Sequence, residues 1–216
     1  MNFQHNNIRP EYFKENWEGK WKVFSWLEFV CAIPHVMFMV TTLKQNGLPN
    51  AAFQSWSSFT GEGDNYYVII SGIMKHTHTY ENIKRNKEFC INFLNMKYLD
   101  NCWQTIKEHH LDIDEITSSG LTVEKSKAIN VPRIKESFLK LECEYEWEKE
   151  LCPNSFNITI CGKVKHVSVN ENFAKAQTNQ KYGKDSFMFN LHNPQNPYTG
   201  EHFGGGVGTI EYQCKM

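Results

Sequence analysis

The chain has 216 residues, 40% hydrophobic and 22% charged, which suits a folded domain with room for a sizeable core and excludes a disordered or fibrous chain. Its formal net charge of -1 gives no electrostatic ground for binding nucleic acid or an anionic membrane, so neither is an expected partner. The seven cysteines (Cys31, Cys90, Cys102, Cys143, Cys152, Cys161 and Cys214) lack CxxC spacing, and an odd count without a secretion signal predicts reduced thiols in a cytoplasmic protein.

Residues 1–22 are polar with embedded aromatics and are expected to form an N-terminal arm on a single domain spanning residues 1–216. Residues 24–40 are the most apolar early stretch, but Glu28, Pro34 and His35 interrupt it, so it reads as neither a membrane span nor a signal peptide. Residues 36–43 (VMFMVTTL) predict a strand and Gln45-Asn46-Gly47 a hairpin turn. The return strand starts at residues 50–53 and is expected to break into a loop at Ser55-Trp56-Ser57-Ser58.

Residues 66–73 (YYVIISGI) form an apolar, β-rich run that opens at Asp64-Asn65 and should end near Lys75. His76, Thr77, His78 and Thr79 follow, and then Tyr80, Ile83 and Lys84 recur at helical spacing, so a helix is expected to start with Thr79 as its N-cap. A helix start leaves backbone N–H groups unpaired and partly positive; with threonine hydroxyls, Lys75 and imidazoles beside it, the segment suits a phosphate. The same residues also fit a plain N-cap flanked by solvated histidines.

Residues 98–110 place Leu99, Cys102, Trp103 and Ile106 on one face and predict an amphipathic helix, with His109-His110 matched to its dipole. In residues 139–147 Leu139, Leu141, Cys143, Tyr145 and Trp147 alternate with Lys140, Glu142, Glu144 and Glu146, the period of a half-buried strand whose acidic face is expected to be solvated. In residues 157–169 Ile158, Ile160, Gly162, Val164 and His166 share a face, so His166 points with the core unless a bulge intervenes at Gly162. Short alternating strands, hairpin turns and one mid-chain helix argue for an antiparallel barrel, although periodicity alone supports other small β-barrels equally. No GxGxxG opens a helix after a strand, so no Rossmann nucleotide site is expected.

The order VTT…NG.PNAA..SW.S…HT.TYENI…EFCINFL, continued by SSGLTVEKSKAINVPRIKES.LKLECEYE, ICGKVKHVSVNE and NPQNPYTGEHFGGG, resembles the flavin reductase-like, FMN-binding split-barrel family in its flavoredoxin-like branch. The likeness implies a mainly β fold with helical insertions, an antiparallel split β-barrel that binds FMN as a homodimer. It also implies an FMN-dependent oxidoreductase, drawing electrons from NAD(P)H or a redox partner. A non-catalytic split-barrel protein holding FMN or haem for sensing or storage is the alternative. By the same resemblance Asn50, Ala51, Ser55, Trp56 and Ser57 border the flavin ring, and Thr77 and Thr79, helped by Lys75 and His76, take the phosphate. Lys127 and His166 match ring-side positions, with Lys125 the rival for the lysine. Relatives often carry an arginine or a serine pair where this chain has Lys75-His76, and a proline-containing link where it has FTGEGDNYY.

Overall fold

The computed structural model describes residues 2–11, 25–107 and 110–211; most of the expected N-terminal arm, His109 and Cys214 lie outside the described residues. The chain divides into two compact units, residues 36–188 with 209–216, and residues 1–35 with 189–208. Among the described residues no helix is long and apolar enough to cross a membrane.

The larger unit is built on strands β1 (His35–Leu43), β2 (Pro49–Gln54), β3 (Ser57–Glu62), β4 (Asn65–Met74), β5 (Glu88–Phe93), β8 (Leu139–Lys149) and β9 (Asn157–Val169), with a short ladder β6 (Val123–Glu124) and β7 (Arg133–Ile134) before β8. Among the described residues the main sheet of this unit runs β2-β1-β5-β8-β9-β4-β3, each pair antiparallel. Its two edges, β2 and β3, are joined by Ser55 and Trp56 alone, which cannot span more than about 11 Å. A flat sheet of this width would separate its edges by about 29 Å, so the sheet must curl into a barrel.

Strand identity follows from burial. In β1, Phe38, Met39 and Val40 are all fully buried, as an apolar run covered on both faces requires. Phe38 and Val40 face the barrel interior with Ile70, Phe89, Ile91 and Ile160. A fully buried side chain of this size contributes roughly 1.5–3 kcal/mol. Gly162 has no side chain because a Cβ there would stand 2.4 Å from the Phe89 ring. On the outer face Leu43 and Cys90 pack under Ile129 and Val131 of the segment that carries β6 and β7. Asn92 fastens that segment: its Nδ2 donates to Thr41 Oγ1 (3.0 Å) and its Oδ1 accepts from Ile134 N (2.9 Å).

Three sequence expectations change. Ser57 and Ser58 do not extend the loop but open β3, which pairs with β4 from Ser57↔Ile70 to Glu62↔Asn65. The helix expected over residues 98–110 is cut to α3 (Leu99–Gln104), because the Thr105 side chain donates to Cys102 O (2.8 Å) and closes the turn. Cys102 on it is buried, while Trp103 and Ile106 stay half exposed. The acidic face of β8 is solvated only at Glu144 and Glu146; Lys140 and Glu142 are buried beneath the outer segment.

The smaller unit holds α1 (Trp26–Cys31), capped by Ser25, and a hairpin of β10 (Met188–Asn190) and β11 (Val207–Gly208) that pairs Phe189 with Gly208. Gln195 N donates to Phe29 O (3.2 Å), and the His35 and His192 rings lie 5.2 Å apart.

Candidate functional site

β4 ends at Met74, and after the turn at Lys75-His76 helix α2 (His78–Asn86) begins. The N-cap is Thr77, not Thr79: its backbone is extended (φ -92°, ψ 151°), its Oγ1 accepts from Tyr80 N (3.4 Å) and donates to Met74 O (2.7 Å). Thr79 is already the second helical residue and is buried. Tyr80 and Glu81 bond back to Thr77, which leaves the amides of His78 and Thr79 without a partner among the described residues. His76 is exposed beside them, His78 is half buried, and Lys75 forms an ion pair with Glu150 that both side chains leave partly in solvent.

Behind this helix start lies a buried polar network. The Lys44 and Glu115 side chains are 0% and 6% exposed, with Nζ and Oε1 2.8 Å apart. Lys44 also donates to the carbonyls of His110 (3.2 Å) and Ile113 (2.8 Å). Glu115, in the short helix α4 (Glu115–Ser118), accepts from Ala51 N (3.0 Å). The network is best satisfied when Asn50 Nδ2 donates to Glu115 Oε1 (3.2 Å) and Oδ1 accepts from the hydroxyls of Thr79 (3.0 Å) and Thr42 (3.1 Å). The structure thus joins Asn50, Ala51 and Thr79, three of the residues singled out from sequence, through two charges that sequence reading did not single out.

The link between the sheet edges comes next. Trp56 adopts a left-handed backbone (φ 53°), a conformation that costs a bulky residue about 1 kcal/mol or more, and its carbonyl accepts from Ser71 N (2.8 Å). Ser55 is buried. Ser57 Oγ is buried with no partner among the described residues, so a polar group placed at this loop would find a hydroxyl ready for it.

The last two candidates meet on the outer face of the barrel. The β8–β9 ladder pairs Glu142 with His166 but Cys143 with Val164, so Lys165 is an extra residue in β9. Such a bulge reverses the alternation: Val164 stays with the core and His166 turns to the face of Glu142, against the expectation of an inward histidine. Glu142, fully buried, accepts from the backbone amides of Lys127 (3.0 Å) and Ala128 (2.6 Å) and from Arg133 Nη1 (2.8 Å). Arg133 also donates to Glu124 (2.8 Å) and to Ser168 Oγ (2.7 Å), which lies 3.3 Å from His166 Nε2. Lys125 and Lys127 both extend into solvent, but the backbone of Lys127 is the one bound into the network that reaches His166. Burial pushes the Cys102 thiol up to about 12 and raises those of Cys90 and Cys143 still further from neutrality, so these three keep their protons and offer no nucleophile.

The fold of this barrel is shared with known proteins. Residues 30–186 match the flavin reductase like domain family. The chain belongs to that family. Among solved structures, nitrilotriacetate monooxygenase component B from Bacillus cereus superposes with a TM-score of 0.72 at 19% identity, covering 100% of both chains. A split-barrel protein from Shewanella frigidimarina NCIMB 400, described as a flavin reductase candidate, gives 0.69 at 20% identity over 88% of this chain and 89% of its own. Flavoredoxin of Desulfovibrio vulgaris (Miyazaki F) gives 0.64 at 17% over 94% and 97%. These likenesses establish the split-barrel fold. A curated relative, an uncharacterized protein from Aquifex aeolicus (strain VF5), is 28% identical over 52% of this chain. The matched region spans 57–65% of the length of the curated relatives, so about two fifths of those proteins lies outside it.

Proposed function

We propose that this flavin reductase-like protein is an FMN-binding oxidoreductase. The observation that carries the reading is the start of α2, where two backbone amides, those of His78 and Thr79, stand unpaired among the described residues beside Thr77, His76 and Lys75. Such a terminus favours a phosphate dianion through its N–H groups and dipole. One such site among the described residues, with no second glycine-rich loop there that opens a helix for a pyrophosphate, suits a mononucleotide better than FAD. The unpartnered Ser57 hydroxyl supplies a second polar contact at the neighbouring loop. FMN, when bound, supplies the hydride and electron transfer itself.

The chain's residues then hold, orient and tune. Lys44 and Glu115 fix the Asn50–Ala51 segment against Thr79 and keep the helix start in register with the Ser55–Trp56 link. Thr77 closes the first turn, with His76 and the Glu150-paired Lys75 beside the phosphate. With FMN bound, the Lys127 ammonium would offset negative charge added on reduction. NAD(P)H or a redox partner donates electrons, and two copies form the working homodimer.

Purified protein should show an oxidised flavin spectrum, release a cofactor that chromatographs as FMN, and bleach anaerobically with NADH or NADPH. Released FAD would refute the mononucleotide site. A spectrum that no physiological donor bleaches would favour the binding-protein reading. A flavin-loaded monomer in sedimentation would refute the dimer.

A further inference from the structure

The polar chain on the outer face decides what kind of group His166 is. An arginine guanidinium carries donors and no acceptor, so Arg133 Nη1 donates both to Glu142 Oε1 (2.8 Å) and to Ser168 Oγ (2.7 Å). The Ser168 hydroxyl has one proton of its own. Among the described residues its remaining partner is His166 Nε2, 3.3 Å away. With that proton directed at Nε2, the nitrogen accepts and the ring proton of neutral His166 sits on Nδ1; the second lone pair of Ser168 Oγ would equally take an Nε2–H, and these two arrangements are what the test below separates. The charges around the ring are already matched. Glu142, opposite His166 in the ladder, has its oxygens taken by Arg133 and two backbone amides, and Lys140, opposite Ser168, is paired with Glu124. Lys165 beside it pairs with Glu144, and Arg133 is the cation nearest along the chain of bonds.

We propose that Arg133 and Ser168 are positioning residues that hold the neutral ring of His166 in its Nδ1–H tautomer, so that Nδ1 offers a ligand acceptor a hydrogen bond. The ligand this suits is an electron-rich heterocycle presenting a carbonyl oxygen or an unprotonated ring nitrogen. The assignment of that heterocycle as flavin rests on the function proposed above; the tautomer does not.

The test is long-range ¹H–¹⁵N correlation spectroscopy of flavin-free, ¹⁵N-labelled protein above the histidine titration range, with the His166 signals identified by their loss in His166→Gln. The wild-type ring should show the Nδ1–H pattern. Ser168→Ala should return it to the Nε2–H form that free histidine favours, and Ser168→Thr, which restores the hydroxyl on a β-branched residue suited to a strand, should bring back the wild-type pattern. A wild-type ring in the Nε2–H form, or one unchanged by Ser168→Ala, overturns the proposal. Arg133→Met also strips Glu142 of its cation, so the serine variants carry the test. With FMN added, Ser168→Ala should raise Kd by about three- to tenfold, the loss of one aligned hydrogen bond, with recovery in Ser168→Thr. If the wild-type protein takes up no flavin, the functional reading falls while the spectrum still decides the tautomer; if it takes up flavin with an Nε2–H ring, the tautomer proposal falls alone.

Discussion

Replacing Lys44 by methionine asks whether a buried charge holds the start of β2, which carries Asn50 and Ala51. The Lys44 and Glu115 side chains are 0% and 6% exposed, and their charged atoms stand 2.8 Å apart. Methionine has a similar length and no charge, so Lys44→Met leaves the Glu115 carboxylate buried without its cation. It also removes the donor to His110 O (3.2 Å) and Ile113 O (2.8 Å). Removing one partner of a buried pair costs about 3–5 kcal/mol. With a urea m-value of about 2 kcal/mol/M, the unfolding midpoint should fall by about 1.5–2.5 M. Lys44→Met/Glu115→Gln leaves no buried charge at this site, and its amide oxygen still accepts from Ala51 N; it should be at least about 1 kcal/mol more stable than the single variant. Urea titration followed by tryptophan fluorescence reads all three proteins. A single variant within about 1 kcal/mol of wild type, or a double variant that loses as much as the single, would refute the argument.

Thr77→Ala should lose about 1 kcal/mol of stability through the missing N-cap and weaken FMN retention, with Thr77→Ser restoring both in denaturation and equilibrium dialysis. Gly162→Ala drives a methyl to 2.4 Å from Phe89 in the core and should cost roughly 1–3 kcal/mol by the same titration, while Gly206→Ala, where a Cβ meets nothing, should cost less. Lys127→Met should lower the reduction potential of bound flavin in a dye-coupled titration and Lys125→Met should not; the reverse would move the role to Lys125. Burial holds the imidazoles of His35 and His192 below the ordinary histidine range, and His35 lowers His192 further. Their neutral forms therefore support the fold fully above the unfolded value of about 6.5, and that support is lost as pH falls through the lowered native values. Hydrogen exchange in residues 190–206 should accelerate on acidification across that window, and less so in His192→Asn, since asparagine tolerates the left-handed backbone there (φ 52°).

Elements whose burial is one-sided or complete were legible because period and hydrophobicity agree with the fold. The apolar run VMFMVTTL is β1, and YYVIISGI lies within β4. β3 was not legible. Its sequence SSFTGE has one large apolar side chain, Phe59, and most of the strand is exposed or half exposed, so nothing in its pattern separates it from a loop. It is a strand because β4, fixed by its own core face, offers it a hydrogen-bonding edge. The helix start was legible to within two residues: either threonine can cap, and tertiary structure chooses by giving the Thr79 hydroxyl to Asn50 and leaving Thr77 free to bond Tyr80 N.

For the site, residue type was readable and facing was not. Strand alternation assigns His166 to the core by counting in twos from Ile158, and the count fails at one residue, Lys165, whose insertion leaves no mark in composition or hydropathy. What the bulge changes is how β9 faces an ordinarily alternating β8. Glu142 has to present its carboxylate outward, to Arg133 and the amides of Lys127 and Ala128, while its neighbour Cys143 has to stay in the core opposite Val164. Continued unbroken from Cys143↔Val164, the register would pair His166 with Leu141 and carry the imidazole into an apolar interior with no acceptor for its proton. The bulge instead aligns His166 with the one buried carboxylate on that strand pair, and Ser168, two residues on along the same face, then falls between the imidazole and Arg133. The buried ion pair and the direction of the histidine are thus a single structural decision, visible only when both strands are in place.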